Sequence, residues 1–197
     1  MEVRNANMKL KNKYCSVNLE IDPAYSVGSA DNRKYDLTFN PGEYGRGDYC
    51  KTLCFDIDCY SSRYTVALTG DGSCQAEDCA VLEEKILSVL LGWDIIQFDV
   101  KARQIIKRAT VDVFGCCFGV FRVGDRYLIY GECEIAMLDS NFNKIWGFAG
   151  RDIFVSVTGK NPFVINKNSV SLYDFEDNYY EVDFNGKVIV DRPAGKN

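Results

Sequence analysis

Residues 133–150 read CEIAMLDSNFNKIWGFAG, and residues 181–190 read EVDFNGKVIV. In each, an apolar run stops at an aspartate, a short polar stretch follows, and apolar residues resume. Asparagine and glycine in that stretch supply the positive φ that a tight strand-to-strand turn demands. The pattern is apolar–Asp, five residues, then two apolar residues. It recurs as Phe98-Asp99 with Ile105-Ile106, as Leu138-Asp139 with Ile145-Trp146, and as Val182-Asp183 with Ile189-Val190. A relaxed copy is Ile57-Asp58 with Tyr64-Thr65. The spacing is about 40 residues, which is the period of a four-stranded β unit. The aspartate needs no functional role to recur, because its carboxylate accepts hydrogen bonds from the next backbone N–H groups and fixes a hairpin.

Outward from these anchors the chain is β in pattern. Short runs rich in Tyr, Phe, Val and Ile are bounded by Gly, Asp and Asn. Gly70-Asp71-Gly72-Ser73 closes the run 64–69, and Val123-Gly124-Asp125-Arg126 separates 118–122 from 127–130. Connections this short join antiparallel neighbours, whereas parallel strands need long crossovers, which the pattern does not offer. Residues 78–91 and 99–110 read two ways. Cys79, Leu82, Ile86 and Val89 have helical spacing. Equally, Glu83-Glu84-Lys85 is a hairpin loop between 80–82 and 86–91, and the repeat favours that reading. The expected fold is all-β, with antiparallel four-stranded meander units stacked as a small β-propeller or an open propeller-like array. A lone meander of this size has two apolar faces, and stacking on its neighbours buries them. The chain is expected to form a single domain over 1–197, with an irregular β region at 1–60 and repeat units over 61–190.

The segments quoted above resemble the strand–turn–strand pattern of PQQ-type and WD-like propeller repeats over roughly residues 80–190. In those repeats an apolar strand ends in Asp and the next opens with an apolar–Trp pair, a position that only Trp146 fills here. The whole chain is also similar to small, acidic bacterial immunity-type proteins that neutralise toxins. These resemblances imply a protein-binding role.

Composition narrows the chemistry. The 197 residues include no histidine, which removes triads and metal sites built on imidazole. The formal net charge is −5, against the basic surface that nucleic-acid binding requires. The longest helix-compatible apolar stretch, 86–91, is far short of a membrane span. No signal-like apolar core stands near the N-terminus, so a cytoplasmic protein is expected. There the nine cysteines are expected to be reduced and to act as small apolar residues. No cofactor or metal is expected, and the oligomeric state is left open.

The candidate binding edge is the acidic loop Asp174, Glu176 and Asp177 with Tyr179 and Tyr180. Carboxylates beside aromatics suit another protein with a basic surface, since tyrosine supplies buried area and charge steers the approach. A calcium site there lacks the twelve-residue EF-hand pattern. The rival reading is a glycosidase-like hydrolase using paired carboxylates: Asp56 with Asp58, Glu132 with Glu134, or Asp174 with Asp177. A third is a scaffold subunit. The expectation is a non-catalytic module, in its concrete form an immunity protein that meets a toxin through an acidic surface.

Overall fold

The computed structural model describes residues 7–59 and 62–195. Among them the chain is all-β, with seventeen strands in four sheets and no helix. The first sheet contains β1 (Met8–Lys11), β2 (Cys15–Ile21), β3 (Leu37–Phe39), β4 (Cys50–Cys59) and β5 (Ser62–Asp71), in the order β1-β2-β4-β5-β3. The second is a plain meander of β6 (Ala80–Glu83), β7 (Ile86–Leu91), β8 (Asp94–Asp99) and β9 (Gln104–Thr110). The third runs through β10 (Cys117–Val123), β11 (Arg126–Gly131), β12 (Ile135–Leu138) and β13 (Lys144–Phe148). The fourth has β14 (Phe163–Ile165), β15 (Ser169–Tyr173), β16 (Tyr179–Asp183) and β17 (Val188–Arg192). The last three sheets are the expected four-stranded antiparallel meander units.

The chain divides into two compact units. One runs to Thr110 and takes in Phe118–Val120, and the other is Val111–Cys117 with the chain from Phe121 onward. In the first unit, alternate residues of sheet one (Val17, Leu19, Leu53, Phe55, Ile57, Val66, Leu68) share a core with Leu87, Val89, Ile96 and Phe98 of sheet two. In the second unit, Leu128, Ile135 and Met137 of sheet three share a core with Val170, Leu172, Tyr180 and Val182 of sheet four. Phe154, from the segment between those sheets, is fully buried in the same core. Each such side chain contributes about 1.5–3 kcal/mol by leaving water, which is why a sheet with an apolar face acquires a neighbour.

The open choice at 78–91 and 99–110 resolves to strand. Glu84 takes φ 48° in the two-residue loop between β6 and β7, whose register pairs Glu83 with Ile86. The helical look came from β7, which is buried on both faces for most of its length and so hides the two-residue alternation. β9 shows that alternation without interruption.

Sheet one departs from expectation in two ways. It has five strands rather than four, and β3 pairs in parallel with β5, Leu37 opposite Val66. The crossover is the link 22–36, which carries the chain from β2 to the far edge. Asp36 fastens that edge: its backbone N–H donates to Thr65 Oγ1, and its carboxylate accepts from Thr65 N at 2.7 Å and Oγ1 at 2.9 Å. The sheet spans Met8 to Asp71 and so crosses the boundary drawn at 60/61.

The repeat is visible at atomic level in sheets two, three and four. Asp99, Asp139 and Asp183 all occupy the turn from third to fourth strand. In all three the register shifts just before the aspartate, between Gln97/Phe98, Met137/Leu138 and Glu181/Val182. The residue passed over on the fourth strand is Ile106, Ile145 or Ile189, each about half exposed at 48%, 48% and 53%. A bulge residue has no cross-strand partner and turns outward, which accounts for an exposed isoleucine in each unit. Trp146 faces inward, and its Nε1–H donates to the Phe184 carbonyl at 3.2 Å. Gly186, at φ 86°, leaves room for that ring, since a Cβ there would lie 2.8 Å from Trp146 Cγ.

Candidate functional site

The acidic loop is a copy of the repeat turn in a new place. Asp174 lies between β15 and β16, the second-to-third-strand turn. Its Oδ1 accepts from Glu176 N at 3.1 Å and Asn178 N at 2.9 Å. Asp139 receives Asn141 N and Asn143 N, and Asp183 receives Asn185 N and Lys187 N, with the same offsets. In all three the backbone N–H of the aspartate bonds the carbonyl four residues on, and the residue three on takes positive φ: Phe142, Asp177 and Gly186. The aspartate therefore dictates the loop.

Asp174 and Tyr180 do not form the expected surface. Asp174 is fully buried and Tyr180 is 2% exposed. Tyr180 Oη donates to Asp174 Oδ2 at 2.9 Å and accepts from Arg151 N at 2.9 Å and Arg151 Nη1 at 3.2 Å. Arg151 forms a two-pronged ion pair with Asp191, at 2.5 and 2.9 Å. Asn178 donates to both oxygens of Asp174 and accepts from Ala194 N. Burial pushes the Tyr180 phenol up, and Arg151 holds the Asp191 carboxyl below the usual range. The carboxylate of Asp174 thus has N–H and O–H donors around both oxygens, which leaves it poorly suited to a calcium ion.

What the turn presents outward is Phe175, 45% exposed, with Glu176 beside it. Asp177 is spoken for: its Oδ1 lies 3.2 Å from Lys160 Nζ and accepts from Thr158 Oγ1 at 2.9 Å. That bond brings the segment carrying Val157, 69% exposed, against the turn. Tyr179 is half-buried, with the Arg192 guanidinium 4.9 Å from its ring centre and Tyr173 5.0 Å away. So Glu176 is the sole member of the five-residue edge that combines exposure with charge and has no ion pair among the described residues. The surface around it is apolar with mixed charge. Phe175 is absent from the sequence candidates, and the one signal for it there is its place directly after the turn aspartate Asp174.

In each carboxylate pair at least one member is engaged. Asp56 holds Arg63 at 2.5 and 3.0 Å, and that guanidinium keeps its carboxyl below the usual range, the reverse of what a general acid needs. Asp58 lies opposite Arg63 in the register. Glu134 pairs with Lys144 at 2.7 Å and accepts from Phe114 N, and Glu132 receives Cys116 N at 3.5 Å. A shallow groove of about 250 Å³ crosses the polar face of sheet one, lined by Lys9, Asn18, Glu20, Arg33, Tyr35 and Asp56 among others. Its walls mix both signs of charge, and Arg33 stacks over Tyr35 at 5.1 Å. All nine cysteines are free thiols. Burial pushes Cys54 up to about 11 and both Cys79 and Cys117 up to about 12, far from reactive thiolates. Among the described residues no group of three or more Asp, Glu or Cys could hold a metal ion, and no helix is long and apolar enough to cross a membrane.

No family model and no curated protein matches the chain. Solved structures do. The computationally designed Ika8 protein is similar at 9% identity with TM-score 0.51, over 93% of this chain and 60% of that one. BamB from Moraxella catarrhalis is similar at 14% identity with TM-score 0.47, over 75% of this chain and 47% of that one. The WD40 domain of Neurospora crassa Pan2 is similar at 12% identity with TM-score 0.44, over 61% and 39%. This chain therefore spans about half the length of BamB and 60% of Ika8. The likeness concerns fold alone. The expected similarity to immunity-type proteins finds no support in these comparisons.

Proposed function

We propose that this chain is a non-catalytic protein-binding module, and that its contact surface centres on Phe175. The observation that carries this reading is a turn built for rigidity that exposes an aromatic side chain. Four hydrogen bonds converge on Asp174 from within the turn itself, yet Phe175 and Glu176 stay in water. A preorganised loop loses little entropy on binding, and an aromatic anchor with a charged rim is what a small interface needs. The engaged carboxylates support the non-catalytic side of the proposal. Nine free thiols fit a reducing compartment such as the cytoplasm.

The finer form is an immunity-type protein that meets a basic toxin. It now rests on Glu176 for charge, with Asp177 partly neutralised by Lys160. Affinity capture followed by titration with the identified partner tests both levels. Phe175→Ala is expected to weaken binding by ~10-fold or more, chiefly through faster dissociation. Glu176→Gln is expected to slow association and flatten its salt dependence. A partner whose affinity ignores Phe175→Ala would overturn the proposal. One that responds to Phe175→Ala but not to Glu176→Gln would remove the acidic-surface form only.

A further inference from the structure

We infer that Cys15 and Cys59 form an oxidative cross-linking site, two thiols that sheet one holds in register to close into a disulfide between β2 and β4. Cys15 lies directly opposite Cys59 in the antiparallel ladder. The type of pair follows from a neighbour. Asp22 N donates to Thr52 O at 2.9 Å, so 22 and 52, which continue the same register, are a hydrogen-bonded pair. Such pairs alternate with non-hydrogen-bonded ones, and 15/59 lies an odd number of steps away. It is therefore a non-hydrogen-bonded pair, the kind with Cα atoms about 4.5 Å apart and side chains closer together. That lies inside the range of about 4.4–6.8 Å that disulfides span.

Both side chains face the same core, with exposures of 5% and 1%. The Cys15 thiol donates to the Glu84 carbonyl at 3.8 Å. The other cysteines of this sheet lack this arrangement: Cys50 faces Asp71, and Cys54 faces Glu20 and Ala67. Cys15 is the first residue of β2 and Cys59 the last of β4, so a local opening at this end of the ladder suffices to admit a reagent. Burial pushes the Cys15 thiol up to about 11, which keeps the pair reduced and slow until an oxidant accumulates.

The oxidant is a low-molecular-weight disulfide such as oxidised glutathione. The Cys59 thiol loses its proton and attacks one sulfur of the reagent. The reagent's S–S bond breaks, and its other half leaves with the electron pair and takes up a proton. Cys15 then loses its proton and attacks the Cys59 sulfur of the mixed disulfide, expelling the second half as a thiol. Two protein thiols are oxidised to one disulfide, and one small disulfide is reduced to two thiols.

The test uses the full folded chain, incubated with oxidised glutathione, quenched by alkylation and mapped by mass spectrometry. A mass lower by two hydrogens, with the Cys15 and Cys59 peptides joined, is the expected result. The cross-linked chain should melt at least ~5 °C higher, because a long loop of the unfolded chain is closed. Cys59→Ala, checked for folding by circular dichroism, should leave Cys15 free to be alkylated. Cys15→Ala serves the same purpose at Cys59. Cys15 that stays fully alkylatable in the wild-type chain, or that pairs with a cysteine other than Cys59, overturns the inference.

Discussion

Sheet one and the three sheets that follow it solve the same problem by different means. Sheets two, three and four each hold their last strand with an aspartate turn, a bulge and an outward isoleucine at matched positions. Sheet one instead has two ten-residue strands paired along their whole length and an extra parallel edge strand tied down by Asp36. Asp58, its nominal copy of the repeat aspartate, sits within β4 opposite Arg63, and residues 60–61 of its turn lie outside the described residues. A local sequence device is needed where strands are short. Where strands are long, the ladder itself fixes the register.

This contrast is sharpened first at Asp174, which uses the turn device inside a core. Asp174→Ala strands the Tyr180 hydroxyl and the Asn178 amide in a buried site. We expect a loss of about 3–5 kcal/mol, read from the denaturant midpoint, because buried partners left unsatisfied cost more than the bond was worth. At the solvent-facing turns, Asp139→Ala and Asp183→Ala should each cost about 1–2 kcal/mol, since water can replace the lost acceptor for the freed N–H groups. Asp58→Ala should fall within about 0.5 kcal/mol of the parent in the same denaturation series. An equal loss at Asp58 would erase the distinction between the two designs.

The smallest effect concerns acid. Arg63 lowers the Asp56 pKa in the folded chain. A lowered carboxylate contributes stability above its unfolded pKa, about 3.9, and that contribution vanishes as pH falls through the folded value. Stability measured from neutral pH down to strong acid should therefore fall less steeply in Asp56→Asn, by under about 1 kcal/mol for a pair at the surface. No change in the acid limb would mean that the ion pair is idle in solution.

Much of this was legible in the residues. Apolar–Asp with a polar turn located the third-to-fourth-strand connection of three sheets, because the aspartate acts on N–H groups two to four residues away and needs no tertiary partner. The bulge was not legible. Two adjacent apolar residues face opposite sides of any regular strand, so the pair after the turn demands no displaced residue. The bulge position also differs, since the Asp99 turn is one residue longer: Ile106 is the second of its pair, whereas Ile145 and Ile189 are the first. Strand β3 was hidden because a three-residue edge strand draws its pairing from β5 and not from its own sequence. Asp174, Glu176 and Asp177 looked alike as charges. Burial separated them into an anchor, an exposed group and a paired one.

Native-state hydrogen exchange on the parent and on Asp139→Ala, Asp174→Ala, Asp183→Ala and Asp58→Ala probes the shared-turn claim most directly. Each of the first three variants should lose protection at its own amide four residues on, Asn143, Asn178 or Lys187, while Asp58→Ala leaves the β4–β5 ladder protected. Unchanged protection at those three amides, or a matching collapse in Asp58→Ala, would contradict it.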